Sequence, residues 1–316
     1  MAFALLATSV ITPAFAQSDF PTRPVKIVVP FPAGGPTDVN MRIVGQKLSE
    51  IWGQGVVIEN RPGANTGIGA QMVAKSAPDG YTLLAAMDTT LVMNPATGAA
   101  MNYDPFKDFA AITLTAKNTS LLTVRASDGP KTIGELIARG KASATKLNYG
   151  AGITITRLAG ATFAKAAGIE VQLIPYKGSA EVVQGLLTGS VDFIVDGIAP
   201  SLPLINSGQF RPLAKLNNRA LPTLPELKPL AEASGLAIDE MSSWIGLVAP
   251  AGTPPAIVQK IHADVVRAMA DAAVADRLEK AGILAVTTTP AEFEKYFRDE
   301  AERWTKVYKE SGIKLD

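Results

Sequence analysis

The chain contains no cysteine and a single histidine, His262. Disulfides, thiolate catalysis and cysteine-based zinc sites are thereby excluded, and one imidazole cannot assemble a histidine metal centre. Charged residues make up only 19 % of the chain and nearly cancel, to a net charge of +1. The basic footprint of a nucleic-acid-binding protein is missing. No block of like charges suggests a tail or a membrane-surface patch. No apolar run beyond the N-terminus approaches the roughly 20 residues of a transmembrane helix.

What is present is a globular composition, 316 residues of which 47 % are apolar. That length suits two ordinary domains or one large one. The N-terminal "FALLATSVITPAFA" is apolar and ends in Ala14-Phe15-Ala16. This pattern predicts a cleaved export signal over residues 1–16, with Gln17 as the first mature residue, and a soluble exported product. Short β-type runs at 25–29, 56–59, 81–85, 112–114, 121–124, 147–149, 171–174, 193–195 and 245–249 alternate with helical stretches. Alternation of this kind predicts an α/β fold with mostly parallel sheets.

Helix starts are marked by capping signals at Thr132-Ile133-Gly134-Glu135 and Thr289-Pro290-Ala291-Glu292, and by Thr253-Pro254. Phe293, Phe297, Trp304, Val307 and Tyr308 fall on one face of the last helix, a core stripe. His262 sits among polar neighbours as a solvated or partly packed residue. The segment 216–240, rich in proline and leucine, predicts an irregular connection, with a domain change there and another near Ser120.

Catalytic motifs fail on context. Gly63-x-x-x-Gly67-x-Gly69 has dehydrogenase-like spacing and is followed by Tyr103-x-x-x-Lys107. Pro105 breaks the helix that this Tyr/Lys pair requires, and the glycines do not follow the first strand. "PFPAGGPTD" at 30–38 is laid out as a phosphate loop but lacks the G-K-[ST] ending. No nucleophile elbow is present, and Asp192 and Asp196 have no sugar cleft to face. The sequence predicts no enzyme, no metal and no cofactor.

Four strand-end loops remain as candidate binding elements, in the place where α/β sheets hold ligands. In the first, Gly34 and Gly35 turn a strand into a helix whose unpaired N–H groups and dipole suit an anion, and Asp38 can pair with Arg42. In "YGAGITITR", Gly150 and Gly152 precede Thr154, Thr156 and Arg157; a cation in a first helical turn opposes the dipole and invites an anion. Asp88 with Thr89, and Asp196, end two further strands. The first loop could equally be a plain βα turn that binds nothing, and Arg157 an exposed arginine.

The sequence resembles the periplasmic solute-binding receptors of tripartite tricarboxylate transport systems, the Bug-type receptors. The matching pieces run through nearly the whole mature chain: "PTRPVKIVVPFPAGGPTDVNMR", "VVIENRPGANTGIGAQMVAKSAPDGYTLL", "YDPFKDFAAIT", "IPYKGSAEVVQGLLTGSVDFIVD", "INSGQFRPLA", "LPTLPEL", "WIGLVAPAGTPPAIVQKIHADVVRA" and "TPAEFEKYFRDEAERWTKVYKESGIK". The resemblance implies a two-lobed Venus-flytrap fold with two crossovers, lobe one over 18–120 plus 241–316 and lobe two over 121–240. It implies a small carboxylate ligand held by Phe31, Ala33, Gly34, Gly35 and Asp38 on one side and Gly150, Ala151, Gly152, Thr154 and Thr156 on the other. Asp88, Thr89 and Asp196 lie in further cleft loops. In the family the second loop is longer and carries a histidine where this chain has Arg157, a cation that could take a second carboxylate bidentately. The expected ligand is an aliphatic or aromatic dicarboxylate, with an amino acid or nicotinate-like solute as the alternative. The expected partners are membrane permease subunits or a sensor protein, and the expected state is a monomer. An exported enzyme acting through Asp88 or Asp196 is the competing class.

Overall fold

The computed structural model describes residues 20–311. The predicted export signal lies outside the described residues. One α/β unit is built from β1 Val25–Val29, α1 Pro36–Trp52, β2 Val56–Asn60, α2 Gly67–Ala74, β3 Thr82–Met87, a π-helical turn Thr89–Met93, α3 Asn94–Thr97 and β4 Phe109–Asn118. A second follows as β5 Ser120–Arg125, α4 Ile133–Ala142, β6 Leu147–Ala151, α5 Thr154–Ala167, β7 Val171–Pro175, α6 Ser179–Thr188, β8 Phe193–Gly197, α7 Ile198–Asn206, β9 Phe210–Lys215 and α8 Leu230–Ser234. The chain then returns through β10 Ser243–Pro250, α9 Pro255–Met269, α10 Ala272–Lys280, β11 Ile283–Ala285 and α11 Pro290–Ser311.

Two sheets result, ordered β11-β4-β10-β3-β1-β2 and β7-β6-β8-β5-β9. The expectation of mostly parallel sheets is corrected. Parallel pairing is confined to β1 with β2 and β3, and to β6 with β7 and β8. β10 and β11 run antiparallel to their neighbours, as does β5 to β8 and β9. The reason is the connection between lobes. Only Thr119 separates β4 from β5, so one extended path leaves the first sheet and enters the second. A strand fed by that path and not by a crossover helix need not be parallel. The return path runs alongside: Asn217 Nδ2 donates to Thr119 Oγ1 at 3.3 Å and to Ser242 Oγ at 3.2 Å, and Leu216 N–H donates to the Ser120 carbonyl at 2.9 Å.

Local signals explain most helix ends. Thr132 Oγ1 accepts from Glu135 N–H at 3.1 Å, and Thr289 and Glu292 exchange bonds as a capping box at 3.2 and 2.8 Å. The last helix buries Phe293, Phe297 and Trp304 against Trp244 of β10 and its surroundings. Each such ring contributes about 1.5–3 kcal/mol of burial. His262 Nε2 lies 3.0 Å from the Thr288 carbonyl, just ahead of this helix. One buried cluster runs through both lobes, joining Leu91 and Val92 to Ile155 and Leu158.

Candidate functional site

The lobes meet along a cleft with a small inner chamber and a wide mouth. The chamber has a volume of about 40 Å3, and the mouth about 560 Å3. Phe31, Pro32 and Ile153 line both. The chamber receives Gly35, Pro36 and Thr37 at the start of α1, Gly178 and Ser179 at the start of α6, Asp196 and Gly197 at the start of α7, and Ile153, the residue that caps α5. Four helices thus begin at one small cavity. Each presents N–H groups without intrahelical acceptors and the positive end of its dipole. Such convergence suits an anion.

The polar walls are short of partners. Both amide atoms of Asn118 and Oδ2 of Asp196 are buried and have no hydrogen-bond partner among the described residues. Asp196 is 5 % exposed and its Oδ1 accepts from Ser179 Oγ at 3.0 Å. Burial pushes this carboxyl up to about 7, against the smaller opposing effect of Ser179 and the Gly197 N–H. Buried polar atoms left unpaired are costly, so a chamber that collects them is shaped for an occupant.

The mouth adds a different chemistry. Arg157, half-buried in the first turn of α5, reaches only the carbonyls of Gly152 and Tyr176, at 3.4 and 3.3 Å, and its Nε has no partner. No carboxylate of the described residues lies within ion-pair distance of it. Burial lowers its pKa. Gly152, Tyr176, Lys177 and Glu181 lie nearby in the lining. Opposite them run Gly63, Ala64, Asn65 and Thr66. Ala64, Asn65 and Thr66 have φ of 46°, 47° and 76°, a left-handed run that costs non-glycine residues about 1–3 kcal/mol each.

The predicted residues separate into lining and support. Phe31, Gly35 and Asp196 line the chamber; Gly152 and Arg157 line the mouth with Phe31. Ala33 and Gly34 are exposed and line neither. Gly34 has φ +83°, and its N–H, expected to meet the anion, donates to Asp38 Oδ2 at 3.0 Å. Asp38 is a brace for that loop: it also accepts from Arg42 and from Asn60 Nδ2 at 3.0 Å. Burial alone would raise its pKa, but Arg42, Gly34 N–H and Asn60 together hold it below the usual value. Asp88 and Thr89 are buried one layer behind the wall. Asp88 accepts from Thr89 Oγ1 at 3.1 Å and from Trp244 N–H at 3.2 Å, and burial pushes it up to about 6. Gly150 and Ala151 lie within β6. Thr156 bonds back to Ile153, and Thr154 Oγ1 accepts from Asn65.

Sequence reasoning missed Asn118, Ser179 and the 63–66 loop. "YKGS" had the same signal as the loops it did identify, a glycine between strand and helix. The 63–66 loop was weighed only as a nucleotide motif.

A family model for the "Tripartite tricarboxylate transporter family receptor" matches residues 40–313. The chain belongs to this receptor family. Among curated relatives it is similar to Protein BugT of Bordetella pertussis, 31 % identical, covering 98 % of this chain and 96 % of that one. Among solved structures it is similar to the R. palustris protein Rpa4515 with adipate, at a TM-score of 0.89 and 34 % identity over 93 % of this chain and 99 % of that one. MatC from Rhodopseudomonas palustris, with bound malate, follows at a TM-score of 0.84 and 30 % identity over 91 % and 99 %. The fold is that of periplasmic binding proteins, and this member of the receptor family is a solute-binding Bug-type protein, not an enzyme.

Proposed function

We propose that this receptor captures a small organic dicarboxylate, aliphatic or aromatic, between its lobes outside the cytoplasm and hands it to a tripartite tricarboxylate-type permease. One observation carries the reading: four helix N-termini open onto a single chamber whose buried Asn118 amide has no hydrogen-bond partner among the described residues. One ligand carboxylate occupies the chamber, held by main-chain N–H groups of the α1 and α5 starts with the Asn118 amide. The body of the ligand lies along Phe31, Pro32 and Ile153, and the second carboxylate meets Arg157 in the mouth. That adipate and malate occupy two related structures agrees with the diacid class. The mature receptor acts as a monomer, with its export signal removed near Ala16-Gln17.

A thermal-shift screen on protein refolded to strip co-purified solutes tests the reading. Diacids should raise the melting temperature by linkage, and matched monoacids should do so less. A response confined to amino acids, or to no carboxylate at all, would overturn it.

A further inference from the structure

The chamber built to attract an anion contains one ionisable side chain, and it is an acid. Asp196 is the only Asp, Glu, Lys, Arg, His or Tyr in the chamber lining. Its Oδ2 is buried and has no hydrogen-bond partner among the described residues, while Oδ1 accepts from Ser179 Oγ. Charged and titratable groups on the surrounding elements are engaged elsewhere. Arg125 of β5 pairs with Asp128, Glu181 of α6 accepts from Lys177 N–H, and Arg157 of α5 reaches backbone carbonyls. Lys215 of β9 donates to the Arg219 carbonyl, Asp38 of α1 is paired with Arg42, and Asp88 lies behind the wall on the Trp244 amide. A ligand carboxylate entering this chamber would face a second carboxylate with no cation between them. Two carboxylates sharing such a site do not both stay ionised; one of them keeps a proton.

We propose that the receptor binds its acid together with one proton, held between Asp196 and the ligand carboxylate, so that Asp196 acts as a hydrogen-bond donor selecting for acids. The inference rests on the carboxylate reading above and deepens it. The proton comes from solvent and returns to it on release; no bond other than the O–H is made or broken. Burial already raises Asp196 to about 7, so the free receptor carries this proton below neutrality and must acquire it above.

Titration calorimetry of the refolded mature chain with malate, adipate and phthalate from pH 5.5 to 8.5, in two buffers of different ionisation enthalpy, tests this. The Kd of the diacid that binds should be nearly constant below about 7 and should rise tenfold per pH unit above it, with proton uptake approaching one per ligand. Asp196→Asn, whose amide donates without titrating, should bind with a Kd that does not vary over this range. A wild-type Kd independent of pH, with binding intact, would sink the proton and leave the function standing. Binding that strengthens as pH rises, with none left in Asp196→Asn, would make Asp196 an acceptor for a cationic or hydroxyl group instead. Failure of all three diacids at every pH would remove the carboxylate reading and this inference with it.

Discussion

Asn65 Nδ2 donates to Thr154 Oγ1 at 3.0 Å across the mouth of the cleft, from the left-handed loop of one lobe to the first residue of α5 in the other. It is a direct polar clasp between the two surfaces that flank the proposed ligand site. Asn65→Ala should weaken the closed form while leaving both lobes folded. Affinity should fall about three- to tenfold, in line with the ~0.5–1.5 kcal/mol of one hydrogen bond. Calorimetry reads the loss, and small-angle scattering should show a larger ligand-free radius than wild type.

Two glycines lie against prolines across the cleft. A Cβ built on Gly178 would lie 3.1 Å from Pro32 Cγ, and one on Gly197 3.0 Å from Pro36 Cγ. Both glycines have ordinary backbone angles, so a side chain would act as a wedge between lobes without straining its own. Gly178→Val should therefore abolish the ligand-induced rise in melting temperature. The ligand-free protein should keep its stability to within roughly 0.5 kcal/mol, as for a surface change. A variant that binds normally would show that the lobes need not approach this closely.

Arg157 is a half-buried cation that, among the described residues, meets only the carbonyls of Gly152 and Tyr176. Arg157→Ala should cost diacids about ten- to a hundredfold in Kd, the ~1.5–3 kcal/mol of a charged hydrogen-bond pair. Monoacids of the same length should lose much less. Equal losses for both classes would place Arg157 outside ligand recognition.

Asp88 and Asp196 have folded-state pKa values raised to about 6 and about 7 from 3.8. The native state then holds protons that the unfolded chain has released, so this contribution to stability is fully present below 3.8 and is lost progressively as pH rises through about 6 and about 7. Ligand-free stability should fall between pH 5 and pH 8 by on the order of 2 kcal/mol or more, read as a lower melting temperature. Asp88→Asn, behind the wall, should flatten part of that slope without touching the lining. A melting temperature that rises over this interval would contradict both assignments.

The sequence made the α/β units legible because their signals are local. Strand 25–29 and the caps at Thr132 and Thr289 stand where expected. It could not give strand direction, which depends on how Thr119 carries the chain between sheets. β9 escaped notice because Pro212 interrupts its pattern, which an edge strand tolerates. The glycine loops of the site were visible for the same local reason. Which atoms line the chamber was not: Gly34 N–H and Asp38 satisfy each other, whereas Gly35 and residues from distant strands such as Asn118 form the lining.

The proposed hold on an anion in the chamber rests largely on the starts of four helices, which are main-chain features. Point substitution cannot easily remove a main-chain amide, whereas it readily changes Asn118, Ser179 or Arg157. Inheritance can therefore keep the anchor for one acid group constant and vary the walls around the rest of the solute. A lineage built this way can diversify its diet without reinventing its grip, and a designer seeking a sensor for a new acid would edit the mouth and leave the helix starts alone.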